Sequence, residues 1–386
     1  VIDSSKRPLA VDRLLLARAS EELSDLDSAT AQYEAVLKSQ DVPLFQKQFI
    51  RFLIRHDQFD RAEKLLAQLE QAEPEKAEDV LNLRIESRRK AGRKADIETV
   101  VDEYLKRHPP ESLNDLASAS FLKTSAEMFT NLELFDAAEK RHRELLQKFP
   151  GTYRNFAVWL AERGRVQDAI DLVMAQVDKD QLRAAAAMVP ILRIAERLSN
   201  PSSFDPTAPE AVIKRTLETP NAPQTFLLEV AILRLTQGRF AESVKLYERM
   251  MERTPENALL RNNLALVLSE LPDRKQEALP MIEQALLAMP DSNDVRDTKG
   301  IVLLALGKPA EAREIFEQAS AANPRNPNFH LHLSQTLNLL GDTAGALEHA
   351  RLAIENKVDF QLLTPAERQY IREMKTRLSA LPPASE

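Results

Sequence analysis

Three prolines, Pro255, Pro290 and Pro324, stand 35 and 34 residues apart, and a chain that repeats at such a period is confined to architectures that stack one small unit. Gly238, Asp273, Gly307 and Gly341 keep the same step, at 35, 34 and 34 residues, as do the small residues Ser243, Ala278, Ala312 and Ala346. Each unit reads as two helical stretches joined by a tight reversal and closed by proline. Glycine at the reversal supplies the positive φ that ends the first helix. The small residue sits where the two helices cross most closely, and a larger side chain there would force them apart at about 1–3 kcal/mol. Proline then prevents the second helix from continuing. With 8 Gly in 386 residues and many Ala, Leu, Glu, Arg and Gln, the composition favours helix over sheet.

The segment LLALGKPAEAREIFEQASAANP (303–324) shows the register in full: small residue, turn at Gly307, small residue at Ala312, aromatic at Phe316, then Pro324. It resembles the tetratricopeptide repeat, a helix–turn–helix unit of about 34 residues. The register runs back through Ala29, Ala62, Ile97, Ala138 and Ala169, with steps of 33, 35, 41 and 31 residues. The step of 41 predicts a longer first helix starting near Ser112. Between Ala169 and Ser243 one degenerate unit is expected, with helices over 181–199 and 210–219, a kink at Pro190, and the loop NPSSFDPTAP between them. A last amphipathic helix over 364–378, opened by Thr364 and Pro365, carries Tyr370, Met374 and Leu378 on one side and reads as a polar cap.

The expected fold is therefore all-α: a right-handed α-solenoid of about ten tetratricopeptide-like pairs with a C-terminal capping helix. It divides into irregular repeats over 8–178, about five in number, a degenerate unit over 179–223, four regular repeats over 224–360, and the cap and tail over 361–386. The loop at 200–209 is the one candidate hinge within a superhelix otherwise read as continuous. The irregular stretch 179–223 is expected to be the weakest link, because solenoid units contact only their neighbours.

The absence of cysteine excludes disulfides, thiolate metal sites and thiol nucleophiles. A net charge of −7 gives no reason to expect nucleic acid. No apolar stretch approaches the roughly 18–20 residues needed to cross a bilayer. The first residue is Val and not Met, which reads as a shortened or processed chain and leaves the compartment open between cytoplasm and export. Among His56, His108, His142, His330, His332 and His349, no pair has the i, i+4 spacing of a helical zinc site, and His330 and His332 face different ways. The stretch 300–308 superficially matches a phosphate loop, but it has the wrong spacing and lies within a helix. No catalytic residue, metal ligand or cofactor is expected.

The resemblance implies that the first helix of each pair lines an inner groove and that function lies in holding a protein or peptide there. On that surface the sequence places Asn262, Asn263, Asp297, Asn328, Gln335 and Asn338, amides and an acid suited to an extended backbone. Asn263 occupies one position of the family's carboxylate clamp, but its Lys and Arg companions are missing, so a clamp is not expected. In the N-terminal half Lys47, Arg51 and Arg55 recur at i, i+4 and i+8, with Arg89, Lys90, Lys123 and Arg154 on comparable faces. Such a stripe would attract an acidic peptide, and reversing Lys47, Arg51 and Arg55 to Glu should abolish capture at unchanged melting temperature. The alternative is a solvated face neutralised by Glu86 and Glu127. The expected function is a non-catalytic, monomeric interaction scaffold; alternatives are the recruiting arm of a larger enzyme and a self-associating solenoid.

Overall fold

A computed structural model of the chain describes residues 9–39, 43–72, 77–108, 115–198 and 204–380. Its described residues form 21 α-helices, arranged as ten successive pairs and one final helix. Contacts between helices group the chain into two units, Val1–Pro150 and Gly151–Glu386. The division falls at Pro150, upstream of the proline-rich loop that the sequence offers as a hinge.

The N-terminal unit contains α1 (Ala10–Glu22), α2 (Leu26–Ser39), α3 (Pro43–Arg55), α4 (Phe59–Ala72), α5 (Ala77–Lys90), α6 (Ala95–Arg107), α7 (Asp115–Asn131) and α8 (Phe135–Lys148). Each odd helix packs on the even helix after it. At 17 residues α7 is longer than the 14 of α5, as the wider spacing predicts; its expected start near Ser112 lies outside the described residues.

The C-terminal unit contains α9 (Tyr153–Glu162), α10 (Val166–Met174), α11 (Gln181–Arg197), α12 (Thr207–Leu217), α13 (Gln224–Thr236), α14 (Phe240–Arg253), α15 (Ala258–Ser269), α16 (Lys275–Ala288), α17 (Asn293–Ala305), α18 (Pro309–Ala322), α19 (Pro327–Leu339), α20 (Thr343–Glu355) and α21 (Pro365–Ser379). Here the first helices of neighbouring pairs also touch one another, α9 with α11, α11 with α13, α15 with α17 and α17 with α19, and so line one wall.

The small-residue register is the crossing register. Ala29, Ala62, Ile97, Ala138, Ala169, Ser243, Ala278, Ala312 and Ala346 are all completely buried. Ser243 uses the close approach to donate from Oγ to the Ala231 carbonyl at 2.8 Å. At Gly300 the approach is closer still: a Cβ there would stand 2.5 Å from the ring of Phe316.

Among the described residues, eight pairs reverse through a single left-handed residue. Five times it is glycine (Gly92, Gly164, Gly238, Gly307, Gly341), and three times it is Ser24, Asp57 or Glu133. The turn at Gly238 shows the bonding: Arg239 N donates to Arg234 O at 2.8 Å and Gly238 N to Leu235 O at 3.0 Å. Asp273 occupies the glycine position of its pair but has no positive φ, because Pro272 redirects the chain and the Arg274 and Lys275 amides both return to Leu271 O.

The degenerate unit forms both of the helices expected of it. The helix α11 runs through Pro190, and nine of its residues are buried, one more than in α13. Its partner α12 begins at Thr207, earlier than expected. Loop residues 199–203 lie outside the described residues.

Candidate functional site

Polar residues of α17 and α19 converge on α21. Thr364 caps this helix, accepting from Glu367 N at 3.3 Å, while Glu367 Oε2 accepts from Thr364 N at 2.8 Å. The other Glu367 oxygen lies 3.3 Å from Nε2 of His332 on α19, and His332 Nδ1 lies 2.8 Å from Oδ1 of Asp297 on α17. Both ring nitrogens thus face carboxylates, an arrangement that only the imidazolium satisfies as a double donor. Burial disfavours that charge, yet Asp297 and Glu367 outweigh it and hold the His332 pKa up at about 10. Asp297, His332 and Glu367 are each 35 residues apart, so one position in three successive first helices forms an acid–base–acid ladder.

The next residue of α21 reaches in another direction. The Arg368 side chain is only 6% exposed, and its guanidinium donates to the Thr236 carbonyl at the end of α13 and to the Glu196 carbonyl near the end of α11, the latter at 3.4 Å. A cation at two helix C-termini meets the negative ends of both macrodipoles. Pro365 lies against the α13–α14 turn, with its Cγ 3.3 Å from the position of a Gly238 Cβ. Residues 365–368 span about one helical turn, roughly 5.4 Å of rise, yet they touch α11, α13 and α19. Within this unit the first-helix wall therefore curls around the start of α21.

Beyond its first turn α21 rests on the last pair, as a cap should. Ile371 is completely buried in a cluster with Leu331, Ala353, Val358 and Leu363. Ser334 Oγ donates to Ala346 O at 2.6 Å, so the Tyr370 hydroxyl, 2.8 Å away, donates to Ser334. The buried face of the helix is Arg368, Ile371 and Met374, rotated from the expected Tyr370, Met374 and Leu378, which leaves Tyr370 and Leu378 half-buried.

A cavity of about 530 Å³ remains between α15, α17, α19 and the first turn of α21. Ile301, Leu304 and Leu339 form its apolar shelf, while Gln335, Asn338, Glu270, Lys275 and Tyr370 supply polar groups. Burial, reinforced by the neighbouring Glu367, raises the Glu270 carboxyl to about 7. The Lys275 ammonium donates to Ala305 O at 3.1 Å.

The structure brings together Gln335 and Asn338 of the sequence candidates. Asn262 and Asn263 sit farther along α15, outside this cavity, where buried Asn262 Nδ2 donates to Asn263 Oδ1 at 3.1 Å. Asp297 stands behind His332, and Asn328 is exposed at the start of α19.

In the N-terminal unit the basic stripe is largely matched by acids on adjoining first helices. Lys47 on α3 meets Asp79 on α5 at 2.7 Å; Arg55 makes two bonds of 2.9 Å to Glu21 on α1, which also meets His56 at 2.8 Å. Lys90 meets Asp57 at 3.0 Å, and Lys123 stands 3.8 Å from Glu127. Arg51 and Arg89 are exposed and form no ion pair among the described residues. Arg154, in the C-terminal unit, stands 3.8 Å from Glu229.

Sequence reasoning missed His332, Glu367, Arg368 and Glu270 as site residues. The signal that could have found the first two was the 35-residue spacing itself, applied to the polar positions as it was to the small ones. Nothing in the local sequence marks Arg368, whose partners are backbone carbonyls 132 and 172 residues away. Among the described residues no helix is long and apolar enough to cross a membrane, and no group of three or more His, Cys, Asp or Glu side chains is placed to hold a metal.

The tetratricopeptide repeat family model matches residues 298–357, from within α17 to just past α20. Comparison with curated proteins returns no match. Among solved structures, the Cut9–Hcn1 hetero-tetramer of APC/C aligns over 97% of this chain and 70% of its own, at 17% identity and a TM-score of 0.42. A tetratricopeptide repeat protein from Parabacteroides merdae aligns over 67% of this chain and 97% of its own, at 11% identity and a TM-score of 0.47. A thermophilic tetratricopeptide repeat protein from Thermus thermophilus aligns over 51% and 98%, at 17% identity and a TM-score of 0.36. The chain is an all-α solenoid of helix pairs that carries tetratricopeptide repeats over residues 298–357.

Proposed function

We propose that this chain is a non-catalytic scaffold that holds a peptide segment of a partner protein against the first-helix wall of its C-terminal unit. The observation that carries the reading is the cavity beside α21. It combines an apolar shelf (Ile301, Leu304, Leu339) with two amides, Gln335 and Asn338, each able to donate to and accept from a peptide backbone. The titratable groups deepest in this region support a structural role, since both nitrogens of His332 are engaged in holding α17, α19 and α21 together.

Selection of peptides from a displayed library on the full chain tests the reading. Selected peptides should lose at least tenfold in affinity for a Gln335→Ala/Asn338→Ala variant of unchanged melting temperature. Equal affinity for that variant, or no selected peptide at all, would overturn it.

A second reading, an acidic segment held by the N-terminal unit, draws on Arg51 and Arg89, the two stripe residues without an ion pair among the described residues. Of the stripe as a whole (Lys47, Arg51, Arg55, Arg89, Lys123), those two would carry it. It predicts that Arg51→Glu/Arg89→Glu abolishes capture of a poly-Glu peptide; capture unaffected by that change, or absent from wild type, would refute it.

A further inference from the structure

We infer that the first-helix wall of the C-terminal unit is a docking site for an amphipathic helix bearing an adjacent acid–arginine pair, that α21 is its occupant within the chain, and that a partner helix of the same chemistry binds by displacing α21. The inference rests on the proposal that this wall is the partner-binding surface, and it adds the identity of the ligand and the state in which the surface is held.

Three observations carry it. Apart from the packing of Pro365 on the Gly238 turn, the contacts of α21 with distant pairs are polar and come from the side chains of its first turn: Glu367 goes to the His332–Asp297 ladder, and Arg368 goes to the open carbonyls of α11 and α13. These are contacts that a partner helix can reproduce, since they need one carboxylate and one guanidinium at consecutive positions.

The apolar hold is small. Only Ile371 and Met374 of its hydrophobic side chains are fully buried, whereas α19 buries Phe329, Leu331, Leu333 and Leu337. An element tied mainly by one ion pair, hydrogen bonds to backbone carbonyls and few apolar contacts belongs to the low-stability end of a fold. Finally, α21 does not fill its site. The cavity of about 530 Å³ lies directly beside its first turn, leaving room for a bulkier helix.

The charges are complementary: the wall offers a cation at His332 to the acid, and two helix C-termini to the arginine. None of the ten helix pairs includes α21, so its release leaves the packing within each pair in place.

The test uses the full chain and, as probe, a fluorescein-labelled synthetic peptide of residues 362–380. Wild type and a Glu367→Gln/Arg368→Ala chain are titrated with the probe while hydrogen exchange is followed over 364–379. The expected result is faster exchange of α21 in the variant, with probe affinity at least tenfold above that of wild type. A probe carrying Arg368→Ala should lose that gain. Equal probe affinity for the two chains, or unchanged exchange of α21 in the variant, would overturn the inference. If probe exchange fails while library-selected peptides still depend on Gln335 and Asn338, only this inference falls. If the probe binds as expected but selected peptides ignore those amides, the cavity reading falls and this one stands.

Discussion

Replacing His332 by Leu removes the cation between Asp297 and Glu367, two carboxylates whose side chains are 10% and 19% exposed. Removing one partner of a buried ion pair costs about 3–5 kcal/mol, and because solenoid units couple only to neighbours, the loss should fall on α21 and the last pair. The pH dependence is the sharper part. The folded pKa of His332 is raised from 6.5 to about 10, so its contribution is complete below pH 6.5 and disappears as the pH rises through 10. Over that window wild type should lose at most ~5 kcal/mol of α21 docking free energy. Glu270 acts in a separate window. Its folded pKa is raised from 4.5 to about 7, so it lowers stability as the pH climbs between those values and is silent above them. Hydrogen exchange over 364–379, corrected for intrinsic rates between pH 7 and 10, therefore isolates His332. Protection should decline steadily in wild type and remain low and flat in His332→Leu. Parallel profiles in the two proteins would refute the assignment of the cation.

The other outcomes follow from the packing. Gly300→Ala should lower stability by about 1–3 kcal/mol through its clash with Phe316, despite the helix propensity gained; an unchanged melting temperature would show that the ring moves aside. Gly307→Ala should cost about 1 kcal/mol from backbone strain alone, since nothing lies within 4 Å of its added Cβ, whereas Glu133→Gly should gain about 0.5–1 kcal/mol at the matching turn, both read by denaturant titration. The triple change Lys47→Glu/Arg51→Glu/Arg55→Glu should lower the melting temperature, contrary to the sequence expectation. It breaks the pairs to Asp79 and Glu21, each worth about 0.2–1 kcal/mol, and sets like charges in their place. Exchange in α11 should be at least as slow as in α13, given its nine buried residues; faster exchange would restore the view of this unit as the weak link.

The fold was legible because the repeat constrains backbone and packing together. A small residue at Ala312 and a left-handed turn at Gly307 serve the same geometry, so each confirms the other. The pattern faded in the N-terminal half because Ser24, Asp57 and Glu133 can adopt the left-handed conformation at a cost that packing offsets, which removes glycine from view. Asp273 misled in the opposite sense, holding the glycine register without its conformation. The inner face was readable as a surface, through Gln335 and Asn338, but not as an occupied one. What α21 touches depends on how the wall curls, and no local pattern encodes that the Arg368 guanidinium meets carbonyls of α11 and α13. Likewise the stripe of Lys47 and Arg55 was visible on α3, while its neutralisation by Asp79 and Glu21 comes from stacking of the neighbouring pairs.

The measurement closest to the central claim is hydrogen-exchange footprinting of the full chain with and without a library-selected peptide. If the first-helix wall is the binding surface, protection should appear on α15, α17 and α19, with α14, α16 and α18 unchanged. Protection confined to those second helices, or to residues 9–148, would contradict it.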